Sequence, residues 1–251
     1  MKSIEVLGCR VDGLGRDEAV ARVIELARGT RPSLVVTLGT EMVMEAQHND
    51  AFRREVNGAA LSLCDTIGLL CVSRLRGGPL RTRVTGVDLV DALACESPRA
   101  GVSLYFLGGA PGIAARAADA MVARYPGARI AGCHDGYFSD AQAPALLAGI
   151  RSSGAQILCA GMGSPKQELW LAEHLAASGA MVGIGVGGTF DVLSGTVARA
   201  PRVWRALGLE WLYRLIREPR RWRRQLALPQ FALLALGETI AVSAGSRGRA
   251  I

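Results

Sequence analysis

The sequence predicts an α/β fold, in which helices cover both faces of a mostly parallel sheet. Short apolar and β-branched runs alternate with longer amphipathic segments over the first 200 residues, as in strand–helix–strand units. Many of the 31 glycines directly follow an apolar run, where such folds make their tight turns. The chain has 251 residues, 50% hydrophobic and 20% charged, which suits one sizeable core and excludes a disordered or coiled-coil chain.

Six apolar runs are the predicted strands, and five amphipathic segments are the predicted helices. The strands are 34–37, 60–63, 103–107, 129–133, 156–159 and 181–184. The helices are 17–27, 87–95, 112–124, 141–150 and 167–177. In Rossmann-like sheets of this kind, ligands bind beyond the carboxyl ends of the strands. We therefore expect functional residues in the segments that follow the strands.

The pattern changes near residue 201, so we divide the chain into an α/β catalytic domain (1–200) and a C-terminal basic helical appendage (201–251). Residues 199–251 hold 11 arginines and three acidic residues, a net charge of +8 in a chain of net charge +7. A near-neutral body with a basic tail predicts contact with something anionic. Phospholipid, nucleic acid and sugar-phosphate substrates all fit that charge.

The appendage is predicted to lie on a membrane surface. Residues 203–217 have the pattern of an amphipathic helix that Pro219 ends. Residues 225–244 are mostly apolar, but with Pro229 and Glu238 they make a poor span, which needs about 20 predominantly apolar residues. Arginine among headgroups with Trp and Leu below suits an interfacial helix. The alternatives are an ordinary helix packed on its own core and an apolar face that pairs subunits into a homo-oligomer.

The cysteines and the N-terminus predict a cytoplasmic protein. The six cysteines form no CxxC pair, and most lie in apolar runs, as small buried side chains do in a reducing compartment. The N-terminus has no apolar signal segment. With the basic appendage, this predicts peripheral attachment to the inner face of the cytoplasmic membrane.

Five segments that follow strands combine glycine with charged or hydroxyl side chains. They are 37–41, 64–68, 81–88, 161–168 and 187–191. Asp65 is a candidate general base, because a carboxylate placed at a site can deprotonate a substrate hydroxyl. The alternative is a helix N-cap, a position that favours Asp.

The sequence predicts chemistry without a metal or another cofactor. It contains no Asp-x-Asp pair and no His/Cys cluster with ligand spacing. If the substrate is a nucleotide sugar, arginines and backbone N–H groups must stabilise the leaving phosphate. Candidates are Arg83, the appendage arginines, and the N–H groups of Gly108, Gly109, Gly187 and Gly188 if these open helices. The alternative for the appendage arginines is a solvated or lipid-facing surface.

Two other functions fit parts of the pattern. Residues 183–188 match GxGxxG after a strand, which allows an NAD-dependent oxidoreductase, although this unit usually lies in the first strand–turn–helix rather than near the end of the sheet. The basic tail also allows a non-catalytic protein that binds membrane or nucleic acid. Such a protein would have little use for Asp65, Arg83 and Gln167 together.

At these segments the sequence resembles the WecG/TagA/CpsF glycosyltransferase family, over residues 4–224. The resemblance is carried by RVTGVDL (83–89), GSPKQE (163–168) and a run from GGTFD (187–191) through 199–201 to 208–215. It implies metal-independent, inverting transfer of a hexose or N-acetylhexosamine-type sugar from a UDP-sugar to a saccharide on polyprenyl diphosphate, with no nucleic-acid partner. The family's donors include UDP-N-acetylmannosamine, UDP-N-acetylmannosaminuronic acid and, in exopolysaccharide pathways, UDP-glucose.

The resemblance also implies catalytic positions. The family's proposed base falls on Asp65, and its other active-site positions fall on Thr37, Arg83 and Gln167. One position departs from the family pattern, which has Thr-x-Asn where this chain has Thr37-Leu38-Gly39. Glycine cannot replace the amide that would contact the nucleotide sugar.

Binding positions follow from the same resemblance. Contacts to the uridine part fall on Gly136, on Tyr137, which would stack on the base, and on Asp191, which would accept hydrogen bonds from uracil or ribose. The family also uses tail arginines near the active site. These correspond to Arg214, Arg221 and Arg224. The tail is expected to dock on the membrane and complete the site there.

Overall fold

An eight-stranded sheet forms the centre of the computed structural model, which describes residues 1–217, 219, 222 and 226–247, with only the backbone of Arg214 and of 242–247. The strands are β1 (Ser3–Val6), β2 (Cys9–Asp12), β3 (Ser33–Leu38), β4 (Leu61–Cys64), β5 (Leu104–Gly108), β6 (Ile130–His134), β7 (Ile157–Gly161) and β8 (Val182–Gly185). Their order across the sheet is β1-β2-β4-β3-β8-β7-β5-β6. β1 and β2 pair antiparallel, and all other neighbouring strands pair parallel.

Twelve helices lie within the described part of the chain. They are α1 (Arg16–Ala27), α2 (Thr40–Glu45), α3 (Asp50–Gly58), α4 (Ile67–Leu75), α5 (Gly86–Ala100), α6 (Ile113–Arg124), α7 (Ala143–Ser153), α8 (Lys166–Ser178), α9 (Thr189–Leu193), α10 (Arg202–Ala206), α11 (Glu210–Arg217) and α12 (Ala227–Arg247). Three of the connecting helices end on a left-handed glycine, which satisfies the last carbonyls and turns the chain back toward the sheet. These glycines are Gly101, Gly154 and Gly179.

Helices cover both faces of the sheet because successive strand residues point to opposite sides. In β3, Val35 belongs to the core beneath α1, α5, α6 and α9, whereas Val36 belongs to the core beneath α2, α3, α4 and α12. In β7, Cys159 belongs to the first of these cores, and Leu158 packs on the other face with residues of α7 and α8. The predicted Rossmann-like sheet sandwiched by helices is confirmed.

The predicted strands are confirmed, with bounds that differ by one or two residues. The hairpin of β1 and β2 was not predicted, because each strand has only four residues and β1 forms the edge of the sheet. A two-residue turn at Leu7 and Gly8, both with positive φ, joins the two strands. The short helices α2, α3 and α4 were also not predicted.

The prediction of one helix over residues 203–217 is wrong. The segment forms α10 and α11 with a break at Gly208, which has φ +72° and lies against α4. A Cβ at this position would lie 2.7 Å from Cγ1 of Ile67, so only glycine allows this approach. The break brings the start of α11 over the carboxyl edge of the sheet.

One face of α12 packs on the protein's own core, as in the alternative interpretation of this segment. Phe231 and Ala235 are buried in the core beneath α2 and α4. Arg76 fixes the same face, because its guanidinium donates to Glu238 Oε2 at 2.6 Å and to Thr239 Oγ1 at 2.8 Å. No helix among the described residues is long and apolar enough to cross a membrane.

We expect Arg76→Ala to lower the free energy of unfolding by about 2 kcal/mol, because hydrogen bonds to charged groups contribute about 1.5–3 kcal/mol each. Urea unfolding measures this. The matched control is Arg99→Ala, whose ion pair with Glu96 lies on the surface; exposed pairs of this kind contribute about 0.2–1 kcal/mol. Equal losses in the two variants would contradict the proposed anchoring of α12.

Candidate active site

A cavity of about 780 Å³ lies at the carboxyl edge of the sheet, beyond the ends of β3, β4, β7 and β8. Parallel strands deliver the residues that follow them to this one edge, which is why segments far apart in sequence meet here. The cavity is lined by predicted site residues from five separate segments. They are Thr37, Asp65, Arg83, Gln167, Gly187, Gly188 and Asp191.

Asp65 directly follows β4, and its N–H donates to the carbonyl of Leu38 at 2.9 Å. This bond extends the pairing of β3 and β4 by one residue and fixes the backbone of Asp65 at the cavity wall. The N-cap of α4 is Thr66, so Asp65 lies one residue before the cap position.

Thr37 and Gly39 occupy the neighbouring strand end. The Thr37 hydroxyl is buried and donates to the carbonyl of Gly185 at 2.9 Å, a tie between β3 and β8. A Cβ on Gly39 would lie 3.2 Å from Cγ2 of Thr66, and Thr66 Oγ1 accepts the N–H of Thr40 at 3.2 Å. Thr66 thus accepts the first N–H of α2, which begins after Gly39, an N-cap residue that has no side chain to accept one.

Contacts of the segment 83–88 hold the guanidinium of Arg83 at the cavity. Arg83 Nη2 donates to the carbonyl of Arg205 at 2.8 Å. That part of the chain is anchored by Arg199, which pairs with Asp88 at 2.5 Å. Thr85 Oγ1 donates to the other Asp88 oxygen at 2.7 Å.

The charge state of Asp88 supports this anchor. Burial by itself would raise the pKa of Asp88, but the hydrogen bonds from Arg199 and Thr85 and the nearby positive charge lower it below the ordinary value. The carboxylate is therefore ionised near neutral pH and keeps its ion pair with Arg199. The 83–88 motif thus contributes the cation, Arg83. It also contributes Asp88, whose ion pair anchors the segment that carries the Arg205 carbonyl.

Gln167 joins two loops of the site. Its side chain is buried, and Oε1 accepts the N–H of Gly163 at 3.1 Å and the N–H of Gly187 at 3.0 Å. Its Nε2 donates to Oε1 of Glu168 at 2.7 Å. The amide therefore fixes the turns after β7 and β8, and one hydrogen on Nε2 remains that this bond does not use.

Glu168 accepts the hydrogen bond from Gln167 Nε2 and so positions the amide. It was not among the predicted site residues. It is fully buried, and among the described residues Oε2 has no hydrogen bond of ordinary geometry. Burial raises the pKa of Glu168, and the hydrogen bonds with Gln167 and Ser164 offset this only in part. The side chain lies beneath Gly185, where a Cβ would be 2.4 Å from Glu168 Oε1.

We expect the stability of Glu168→Gln relative to the parent protein to increase as the pH rises above 4.5, the ordinary pKa of Glu. The raised pKa means that the folded parent binds a proton which the unfolded chain releases, so the parent loses stability between these two pKa values. Glutamine has no such proton. Urea unfolding from pH 4 to 8 measures the difference.

Glu168→Ala is the control, because it leaves Gln167 Nε2 without its acceptor and should destabilise the protein at every pH. A difference between Glu168→Gln and the parent that does not change with pH would contradict a raised pKa for Glu168.

Two of the four predicted glycine N–H groups, those of Gly109 and Gly187, have partners within the protein. Gly187 donates to Gln167, and the N–H of Gly109 donates to the carbonyl of Gly161 at 3.0 Å. Neither N–H is available to a phosphate in this conformation. Gly188 is the N-cap of the short helix α9, whereas Gly108 ends β5, five residues before α6 begins.

The predicted uridine contacts Gly136 and Tyr137 lie at the same sheet edge but do not line the cavity. Gly136 donates to the carbonyl of Gly109 at 2.9 Å, and Tyr137 is 74% exposed. Gly161 does line the cavity, so Gly109 and Gly136 adjoin its wall. Arg221 and Arg224 lie outside the described residues, and so does the side chain of Arg214.

Part of the cavity wall comes from residues that the sequence did not place in the site. Among them are Glu210 and Trp211 at the start of α11, Cys71 on α4, and Phe231 and Leu236 on α12. The buried Phe231 and Ala235 are four residues apart, and this helical spacing was the available signal for a packed face. Among the residues that the structure describes, no three His, Cys, Asp or Glu side chains are grouped as metal ligands.

The GxGxxG match has a structural explanation of its own. Gly183 and Gly185 lie inside β8, not in a turn, and a Cβ on Gly183 would lie 3.0 Å from Leu171 of α8. These two glycines allow α8 to pack closely on the strand. A dinucleotide-binding turn needs its glycines between the strand and the helix.

The sequence model of the glycosyl transferase WecG/TagA/CpsF family matches residues 4–244. The chain belongs to this family. The matched region includes every described residue that lines the cavity, from Thr37 to Thr239. The resemblance carried by the three motifs is therefore confirmed, and the protein is a glycosyltransferase, an enzyme that takes a sugar from a donor to an acceptor.

Proposed function

We propose that this glycosyltransferase transfers a hexose or N-acetylhexosamine-type sugar from a UDP-sugar to a polyprenyl-diphosphate-linked saccharide, with inversion and without a metal ion. One observation carries the proposal: Asp65, Arg83 and Gln167, which lie up to 102 positions apart in sequence, line one cavity. Thr37 and Asp191 line the same cavity. The site therefore offers carboxylates for proton transfer and a fixed guanidinium for phosphate.

The proposed reaction is a single displacement. Asp65 takes the proton of the acceptor hydroxyl as its oxygen forms a bond to the anomeric carbon. The bond from this carbon to the UDP oxygen breaks, and its electron pair leaves with UDP. Arg83 stabilises the developing negative charge, because its guanidinium is held in place by the Arg205 carbonyl before the substrate arrives. The resemblance to the family assigns the same role to Arg214, Arg221 and Arg224 of the appendage.

Two acidic residues then have different roles. Asp191, at the start of α9, binds the uridine part, and Asp65 acts on the acceptor. Gln167 positions the loops at Gly163 and Gly187 and offers its remaining Nε2 hydrogen to the substrate. Thr37 positions the end of β3 beside β8.

Asp65→Asn should reduce kcat by about 10²- to 10⁴-fold, the usual contribution of a general base. UDP affinity should stay within about twofold, because the amide has the carboxylate's shape and only proton acceptance is lost. A sugar-transfer assay with a short-chain lipid diphosphate acceptor and a panel of UDP-sugars measures the first quantity, and calorimetry the second. Asp17→Asn, on the exposed side of α1, is the control. Full activity of Asp65→Asn would remove the mechanism.

Activity should persist at full rate in EDTA, because the guanidinium of Arg83 is expected to supply the charge that a divalent ion supplies in other sugar transferases. The same transfer assay, run with EDTA and then with added Mg²⁺ or Mn²⁺, measures this. A strict requirement for either ion would contradict the assignment of phosphate stabilisation to arginine.

Attachment to the inner face of the cytoplasmic membrane is part of the proposal. Large apolar side chains are exposed along the basic segment, among them Val203, Leu207 and Ile216. Arg202, Arg205 and Arg217 lie on α10 and α11 with Val203 and Ile216, and Leu207 directly follows α10. Exposed apolar groups among cations are the composition of an interfacial segment on anionic lipid.

The double variant Leu207→Glu/Ile216→Glu should lower binding to vesicles of anionic phospholipid by at least about tenfold. Burial of one such side chain contributes about 1.5–3 kcal/mol, and about 1.4 kcal/mol is a tenfold change. Vesicle co-sedimentation measures this. Val122→Glu, an exposed apolar site on α6, is the control. Equal losses in both would contradict a docking role for α10 and α11.

A further inference from the structure

The cavity has a second, apolar end between α4 and α12, where none of the residues assigned to chemistry lies. Each helix presents side chains four residues apart, so each set forms one stripe along the wall. The stripes are Ile67, Cys71 and Leu75 on α4, and Leu228, Ala232 and Leu236 on α12. The wall stripe on α4 runs over all nine residues of the helix, and the eight steps of about 1.5 Å between its ends make it about 12 Å long. We call this apolar end the α4–α12 groove.

The groove has a defined floor and two different ends. Phe231 forms part of the floor and is 3% exposed. A Cβ on Gly68 would lie 3.3 Å from Phe231 Cε1 and 2.5 Å from Thr40 Cγ2, so glycine lets the ring pack against α4. At one end Ile67 lies two residues from Asp65. At the other end Leu75 and Leu236 are 71% and 53% exposed, so this end opens on the surface.

The groove is held in shape without a ligand. Arg76, at the end of α4, binds Glu238 and Thr239 of α12 and also donates to the carbonyl of Ala235 at 3.2 Å. The carboxylate of Glu238 also accepts the N–H of Leu7, so its oxygen is engaged away from the apolar stripes. An apolar channel thus leads from the proposed base to the surface.

We propose that the α4–α12 groove binds the isoprenoid chain of the acceptor, and this rests on the proposed function. An amphiphile is the ligand whose chemistry matches a cavity that is polar at one end and apolar along the other. Its diphosphate and sugar lie near Arg83 and Asp65, and its chain runs along the two stripes to the exposed end. An isoprenoid acceptor has one chain for this one groove, whereas a phospholipid carries two.

The test uses Cys71 as a reporter inside the groove and Cys95 as a reporter outside it. Both thiols are exposed, but only Cys71 lines the cavity. The probe is farnesyl diphosphate, a soluble isoprenoid diphosphate, added to the full chain before maleimide alkylation and peptide mass spectrometry. At ten times its dissociation constant the probe should slow alkylation of Cys71 about tenfold, by mass action. Cys95 should react at an unchanged rate, and inorganic pyrophosphate should protect neither thiol.

A matched pair of variants locates the binding. Leu236→Asp places a charge in the apolar wall and should weaken farnesyl diphosphate binding at least about tenfold. Leu233→Asp makes the same change on the exposed side of the same helix, outside the cavity, and should leave that affinity unchanged. Equal weakening by the two variants overturns the groove assignment.

Three other results overturn it. The first is equal alkylation of Cys71 with and without farnesyl diphosphate. The second is equal protection by phosphatidylglycerol vesicles, which would assign the groove to bulk lipid. The third is protection that grows with protein concentration alone, which would assign it to a second copy of the chain. Transfer from a UDP-sugar to the short-chain lipid diphosphate acceptor despite any of these would preserve the proposed function, whereas protection of Cys71 without transfer from any UDP-sugar would preserve the groove alone.

Discussion

The site depends on two partly buried ion pairs. They hold the C-terminal segment of the chain against the carboxyl edge of the sheet. The pair of Asp88 and Arg199 fixes the segment where it leaves the sheet. The pair of Arg76 and Glu238 fixes α12 against α4. Between these anchors the chain supplies the carbonyl that holds Arg83 and several walls of the cavity. The site is therefore assembled from both ends of the chain.

Close approach of backbones gives this edge its shape. A Cβ on Gly108 would lie 2.3 Å from the carbonyl oxygen of Gly161, and one on Gly161 would lie 2.7 Å from that of Gly187. Side chains at these positions would force the ends of β5, β7 and β8 apart. The glycines thus bring the turns after three strands within reach of one another. Gln167 then fixes two of these turns with a single amide oxygen.

Much of the fold could be predicted because its signals are local. The apolar runs of β3 to β8 are bounded by turns, and the positions of Asp65 and Arg83 after strands follow from the rule for parallel sheets. The hairpin of β1 and β2 could not be predicted, because four-residue strands carry little pattern. The break at Gly208 depends on its approach to Ile67, a contact between distant segments.

The site was predictable as a set of residues but not as a set of contacts. The sequence indicates that Gln167 follows a strand, but not that its amide is occupied by Gly163 and Gly187. Nor does it indicate that Gly109 already donates to Gly161. Composition made the segment of α12 a membrane-surface candidate, because an apolar face looks the same whether it meets lipid or Phe52 and Leu69 of the protein's own core. The tertiary contacts of Phe231 and Glu238 show that one face of α12 packs on the protein's own core.

The most direct test of the central claim is the anomeric configuration of the transferred sugar, determined by NMR on the product of a single transfer from a UDP-sugar. Asp65 acting as a base on the acceptor predicts a configuration opposite to that of the donor, because the acceptor oxygen attacks from the side opposite UDP. Several other carboxylates line the cavity, including Glu41, Asp191 and Glu210, so a double displacement would have a nucleophile available. Retention of configuration would contradict the account.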